Sequence, residues 1–100
     1  MQMEQVMVQN VNVPGYERFV DAHRYRSMRR ALREVLPEEA PGLTQAEMLA
    51  AVAGRLPEAL FSGAEQAGWW LKTVMADLEA KGLLEREPTR PVRWHRAAAF

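Results

Sequence analysis

The most constraining feature of this chain is its last third, where a helix, a glycine stop and a β-hairpin follow one another within residues 68–96. Gly82 interrupts an apolar pattern of helical period, and the segments after it, LLERE and VRWHR, alternate in the manner of strands. Pro88 and Pro91 bound the connection PTRP and confine it to a turn. We therefore predict a helix that ends at Gly82, followed by a β-hairpin over residues 83–96.

Two more helices are predicted upstream of this unit. Asp21 is placed to cap a first helix that runs to about Leu36, with apolar residues recurring at three- and four-residue spacing. In LTQAEM, Thr44 and Glu47 stand three residues apart in the spacing of a capping box, which indicates the start of a second helix. This second helix is expected to run to about Leu56.

The third helix carries two adjacent tryptophans that fall on different faces. A second capping box, formed by Ser62 and Glu65, is expected to open this helix. On a helical wheel the inward side contains Ala67, Trp70, Leu71, Val74, Met75 and Leu78. Trp69 falls almost opposite and shares its face with Glu65, Lys72, Thr73, Ala76 and Ala80. Trp70 and Trp94 are thus expected in the core, and Trp69 outside it.

The N-terminal segment has a different pattern. It is rich in valine and contains Pro14-Gly15, a pair suited to the centre of a type II turn, so residues 1–20 are predicted to form a β-hairpin. The three helices then occupy residues 21–81. The whole chain, residues 1–100, is expected to form a single domain, since a chain of one hundred residues has enough apolar surface for one core.

Composition excludes several classes of protein. Cysteine is absent, which removes disulfides and thiolate metal sites. No apolar run has the length of a membrane span, and the first ten residues lack the pattern of a signal peptide, so we expect a cytoplasmic protein with no membrane partner. The formal net charge is zero, which is unusual for a protein that binds nucleic acid through its overall field.

The order of elements and two segments resemble winged-helix regulators. LTQAEMLAAV is similar to their second helix, and VMADLEAKGLLEREPTRPVRW is similar to their third helix and wing, so the resemblance covers residues 21–96. It implies an α+β winged-helix fold, here with an added N-terminal β-hairpin. The chain as a whole, with VPGYERFVDAHRYRSMRRAL ahead of GWWLKTV, also resembles a bacterial family of unknown function, which implies no activity.

The winged-helix resemblance implies binding to double-stranded DNA. In such proteins the third helix enters the major groove and the wing contacts phosphate or the minor groove. Carried over by position, the candidate nucleic-acid-binding residues are Gln66, Trp69, Lys72 and Thr73 on the third helix, with Arg90 and Arg93 in the wing. The alternative for the wing arginines is cross-strand pairing with Glu85 or Glu87.

A second hypothesis is a winged-helix interaction module that does not engage nucleic acid. Trp69 and its small neighbours Ala76 and Ala80 would then form an interface with a second copy of the chain or with another protein. The neutral net charge favours this hypothesis. A third possibility for Trp69 is that the N-terminal hairpin covers it.

Catalysis and cofactor binding are not expected. The two histidines, His23 and His95, lie on separate elements and have no carboxylates nearby at the spacing of metal ligands. The sequence contains no glycine-rich phosphate loop and no nucleophile elbow. We therefore expect a protein that is not an enzyme, with no metal site and no cofactor.

Overall fold

The structure, a computed structural model, describes residues 4–100. Over this range the chain forms a mixed α+β fold of three helices and two small antiparallel sheets. In chain order the elements are β1 (Gln5–Val8), β2 (Arg18–Asp21), α1 (Ala22–Val35), β3 (Leu43–Thr44), α2 (Gln45–Ala53), α3 (Ala64–Ala80), β4 (Leu84–Glu87) and β5 (Arg93–Arg96). None of the described helices has the length and apolar character needed to cross a membrane.

The first helix forms where the sequence predicts it. Asp21 caps α1 by accepting a hydrogen bond from the backbone N–H of Arg24, at 3.0 Å. Tyr25, Met28 and Leu32, which lie on one face of the helix, are all buried. The predicted apolar stripe therefore faces the core.

The second helix begins as predicted but ends earlier. The backbone N–H of Thr44 donates to Glu47 at 2.8 Å, and that of Glu47 donates to the Thr44 hydroxyl at 3.1 Å, so the capping box is confirmed. The predicted end near Leu56 is wrong, because α2 stops at Ala53. Gly54 follows, a residue with poor helix propensity, and the helix does not continue beyond it.

The third helix begins one residue later than a Ser62 cap requires. Gly63 is its N-cap, with φ of 97°, and no side chain caps the helix. A φ in the left-handed region favours glycine, and Ser62 then precedes the N-cap position, so the predicted second capping box is wrong. The predicted inward face is confirmed for Trp70, Leu71, Val74, Met75 and Leu78, which are buried, whereas Ala67 is only half-buried.

The N-terminal hairpin pairs β1 with β2, placing Met7 opposite Phe19. The predicted turn is present: Gly15 has φ of 85°, and the N–H of Tyr16 donates to the carbonyl of Val13 at 3.0 Å. The strands are separated by residues 9–17, which we call the N-terminal loop. The first three residues of the predicted hairpin lie outside the described part of the chain.

The second sheet has three strands in the order β3-β5-β4. The predicted C-terminal hairpin supplies β4 and β5, whereas β3 is a strand that the sequence did not predict. It pairs Leu43 with Trp94 just before α2 begins. Gly42 precedes it with φ of 85° and lies so close to β5 that an added Cβ would be 2.0 Å from the carbonyl oxygen of Trp94.

A buried carboxylate, Asp77 of α3, joins three parts of the fold. Its side chain is fully buried and accepts hydrogen bonds from the backbone N–H of Gln9 at 2.8 Å, from Lys81 Nζ at 2.9 Å and from the hydroxyl of Tyr25. Burial, followed by the hydrogen bond to Asp77, raises the pKa of Tyr25 well above its usual value. The phenol therefore remains a donor at neutral pH and links α1 to α3.

We predict that Gly42→Ala destabilises the fold far more than Gly15→Ala. Both glycines have φ of 85°, so both variants carry the backbone strain of a left-handed residue, about 1 to 2 kcal/mol. An added Cβ at Gly15 meets nothing within 4 Å, whereas at Gly42 it collides with β5. Urea unfolding of the two variants measures the difference, and equal losses would show that β3 does not pack on β5 as described.

Candidate interaction surface

The outward face of α3 presents one large aromatic side chain beside polar ones. Trp69 is 42% exposed and Trp70 only 8%, which confirms the predicted split of the two tryptophans. Gln66 and Lys72 are exposed, and Thr73 is half-buried. The helical part of the predicted nucleic-acid set is therefore accessible around Trp69.

Two neighbours hold the Trp69 ring in place. The guanidinium carbon of Arg18, on β2, lies 5.2 Å from the ring centroid, within the range of a cation–π contact. The ring of Trp70 stands nearly perpendicular to it, at 84°, with the centroids 5.0 Å apart. The N-terminal hairpin thus covers part of Trp69 and leaves the rest open.

A shallow groove of about 530 Å³ lies beside Trp69, between α2 and α3. It is lined by Gln45, Ala46, Leu49, Glu65, Gly68, Trp69 and Lys72. Of these residues, Ala46 has a short side chain and Gly68 has none, and Leu49 is a half-buried apolar residue. We call the α3 part of this surface, Glu65, Gly68, Trp69 and Lys72, the Trp69 face.

The second half of α3 is not open in the same way. The backbone N–H of Val11, in the N-terminal loop, donates to the carbonyl of Ala76 at 3.2 Å, and the side chain of Ala76 is half-buried. Ala80 is exposed but lines a cavity of about 390 Å³ shared with the N-terminal loop. The predicted interface set is therefore divided, with Trp69 in the open part and Ala76 and Ala80 beside the loop.

Most arginines of the C-terminal sheet are already paired with carboxylates. The ion pairs are Arg86 with Glu79 at 3.1 Å, Arg93 with Glu47 at 2.9 Å and Arg96 with Glu38 at 2.9 Å. The predicted alternative for the wing arginines, cross-strand pairing with Glu85 or Glu87, is found only in the strand register: Glu87 stands opposite Arg93, but the guanidinium of Arg93 forms its ion pair with Glu47. Arg90 is exposed in the turn and forms no ion pair within residues 4–100.

Sequence reasoning missed a cluster on β4 and β5. His95 is buried, and its Nε2 lies 2.9 Å from Glu87 and 3.3 Å from Glu85. Burial alone lowers the pKa of His95, but its hydrogen bonds to Glu87 and to the Arg96 carbonyl, with the charge of Glu85, outweigh burial and raise it. The expectation that neither histidine has carboxylates nearby at the spacing of metal ligands is wrong for His95.

A signal for this cluster was present in the predicted hairpin. Strands joined by the turn PTRP pair Glu85 directly with His95, and Glu87 lies two residues along on the same face. Spacing along the chain does not reveal it, because the ligand-type residues approach one another only through the strand register.

A comparison with family models matches residues 5–94 to a family of unknown function, DUF6958. The chain belongs to the DUF6958 family. Neither a search of curated proteins nor a search of solved structures gives a match. The matched range takes in all three helices and strands β1 to β4 and ends within β5, and the family description states no activity.

We predict that the two tryptophans differ sharply in their contribution to stability. Trp70→Ala removes a buried ring and is expected to lower the free energy of unfolding by about 3 to 5 kcal/mol. Trp69→Ala removes a half-open ring with one cation–π contact, for a loss of about 1 kcal/mol. Chemical denaturation of both variants measures these losses, and similar values would contradict the assignment of the α3 faces.

Proposed function

We propose that this protein is a winged-helix interaction module that binds a second copy of itself through the Trp69 face. The order α1, β3, α2, α3, β4, β5, with the sheet order β3-β5-β4, supports the winged-helix part of the proposal. Its role is binding rather than catalysis. The observation that carries it is the large exposed aromatic side chain of Trp69, beside a shallow, partly apolar groove.

The charges on the Trp69 face support a second copy as the partner. Glu65, Gly68, Trp69 and Lys72 follow one another at the helical spacing that places them along one side of α3. When two such helices cross antiparallel about a two-fold axis near Gly68, Glu65 of each copy lies opposite Lys72 of the other. A two-fold interface must be self-complementary, and this face meets that condition.

Gly68 favours the same arrangement. An added Cβ at this position meets nothing within 4 Å, so the fold of one chain does not require glycine there. Glycine in a helix interior is less favourable than alanine by about 0.5–1 kcal/mol. A helix that keeps a glycine at the centre of an exposed face lets another helix approach closely, which accounts for its presence.

The net charge of zero allows two copies to approach without repulsion. The ion pairs of the C-terminal sheet also favour self-association, since Arg86, Arg93 and Arg96 each already have a carboxylate partner within the chain. The electrostatic surface therefore suits self-association better than the wrapping of a phosphate backbone.

We predict that the purified protein dimerises and that Trp69→Ala raises the dimer dissociation constant about thirtyfold, the effect of losing about 2 kcal/mol at a central aromatic contact. Gly68→Ala is expected to weaken the dimer while leaving the monomer at least as stable. Gly54→Ala is the matched control, because an added Cβ there also meets nothing within 4 Å. Sedimentation equilibrium over a range of concentrations measures all four proteins.

A charge exchange tests the antiparallel geometry. Glu65→Lys alone places two lysines opposite each other and is expected to weaken the dimer, and the double variant Glu65→Lys with Lys72→Glu is expected to restore it. Self-association through the Trp69 face would be overturned if the wild type stayed monomeric at every concentration. It would also be overturned if these changes left the dimer dissociation constant unaltered.

DNA binding is the second candidate function. Lys72 on α3 and Arg90 in the C-terminal turn are exposed cations without an ion pair within the described residues, at the positions where winged-helix proteins contact DNA. Fluorescence anisotropy with random-sequence duplex DNA at two salt concentrations separates the candidates. DNA binding would be favoured if the protein remained monomeric and bound the duplex in a salt-sensitive way, and if Lys72→Glu or Arg90→Glu abolished that binding.

A further inference from the structure

We propose that His95, Glu85 and Glu87 form a binding site for a divalent transition-metal ion of the zinc type on the face of β4 and β5. The three residues are the only described group whose His, Asp or Glu ligand atoms gather within 4.8 Å of one another. An imidazole and carboxylates together suit Zn²⁺ among the common ions.

The backbone register places the three ligands. Glu85 is paired directly with His95, and Glu87 projects from the same face of β4 two residues further on. The strands are joined by a turn with prolines at both of its ends, Pro88 and Pro91. Ligands from two hydrogen-bonded strands of one sheet are held at fixed separation by the backbone rather than by a loop.

The distances suit a metal ion. A tetrahedral zinc ion with bonds near 2.1 Å places its ligand atoms roughly 3.4 Å apart. His95 Nε2 lies 3.3 Å from Glu85 Oε2 and 2.9 Å from Glu87 Oε1. The side chain of Glu85 is 60% exposed and free to adjust its torsions, so an ion can be accommodated without moving the strands.

The second ring nitrogen of His95 is oriented as in metal-binding histidines. Its Nδ1 lies 3.1 Å from the backbone carbonyl oxygen of Arg96 and can donate a hydrogen bond to it. Such a bond keeps a proton on Nδ1, so that Nε2 can bind a metal once it gives up the proton it shares with Glu87. Ligating histidines usually have a hydrogen-bond partner of this type on the second ring nitrogen. This contact is independent of the two carboxylates.

Charge balance favours a divalent ion at this position. With a neutral imidazole the cluster carries the two negative charges of Glu85 and Glu87, which a single divalent cation neutralises. Arg93, which projects on the same face of the hairpin, donates instead to Glu47 and to the carbonyl of Gly42. Neither carboxylate has a hydrogen-bond partner other than His95 in the part of the chain that the structure describes.

The site is open on one side. Three protein ligands leave at least one position of a tetrahedral ion to water, and the exposure of Glu85 places that position toward solvent. An ion bound here would cross-link β4 to β5. Because the ion binds the folded hairpin, it should raise the thermal stability of the protein.

The test is titration of tag-free protein with Zn²⁺ by isothermal titration calorimetry. The chain contains no cysteine and only two histidines, so competing strong ligands are few. We expect one Zn²⁺ per chain, with affinity reduced at least about tenfold in Glu85→Gln and more strongly in His95→Gln. His23→Gln and Glu39→Gln change matched residues on exposed positions elsewhere and are expected to bind as the wild type does.

A second readout keeps the test valid if His95→Gln folds poorly. Glu85→Gln alters only an exposed side chain, and circular dichroism with a thermal melt reports its fold directly. Zn²⁺ should raise the melting temperature of the wild type and of both controls more than that of Glu85→Gln. Absence of Zn²⁺ binding by the wild type, or binding retained in both site variants, would overturn the proposal.

Discussion

The buried carboxylate of Asp77 is the contact on which the arrangement of this fold depends. It lies in the interior of α3 and accepts hydrogen bonds from Gln9, Tyr25 and Lys81, which belong to the N-terminal loop, to α1 and to the end of α3. A buried carboxylate is costly unless it is fully hydrogen-bonded and paired with a cation. Here both conditions are met only when the loop and α1 pack together on α3, so the carboxylate specifies one arrangement.

This anchoring decides which part of α3 remains available to a partner. Gln9 and Val11 hold the N-terminal loop against the second half of the helix, at Asp77 and Ala76. The first half, with Trp69 at its centre, is covered only in part by Arg18. The N-terminal loop thus leaves the Trp69 face as the accessible part of α3.

Features with a local cause were predictable from the sequence. The caps at Asp21 and Thr44 and the split of Trp69 from Trp70 depend on residues within one helical turn, and the structure confirms them. The predicted cap at Ser62 is wrong because Gly63, with a positive φ, occupies the N-cap position of α3 instead. Asp77 and His95 were missed for a different reason, since their partners lie on other elements and are brought near only by tertiary packing or strand register.

Amide hydrogen exchange of Gln9, followed by NMR, is the most direct measurement of whether Asp77 holds the N-terminal loop on α3. The Gln9 N–H donates to a fully buried carboxylate, so it is expected to exchange far more slowly than the amide of Gly15 in the exposed part of the same loop. Strong protection at Gln9, with fast exchange at Gly15, is the predicted result. Equally fast exchange at both amides would show that the loop is not anchored and that the whole outward face of α3 is open.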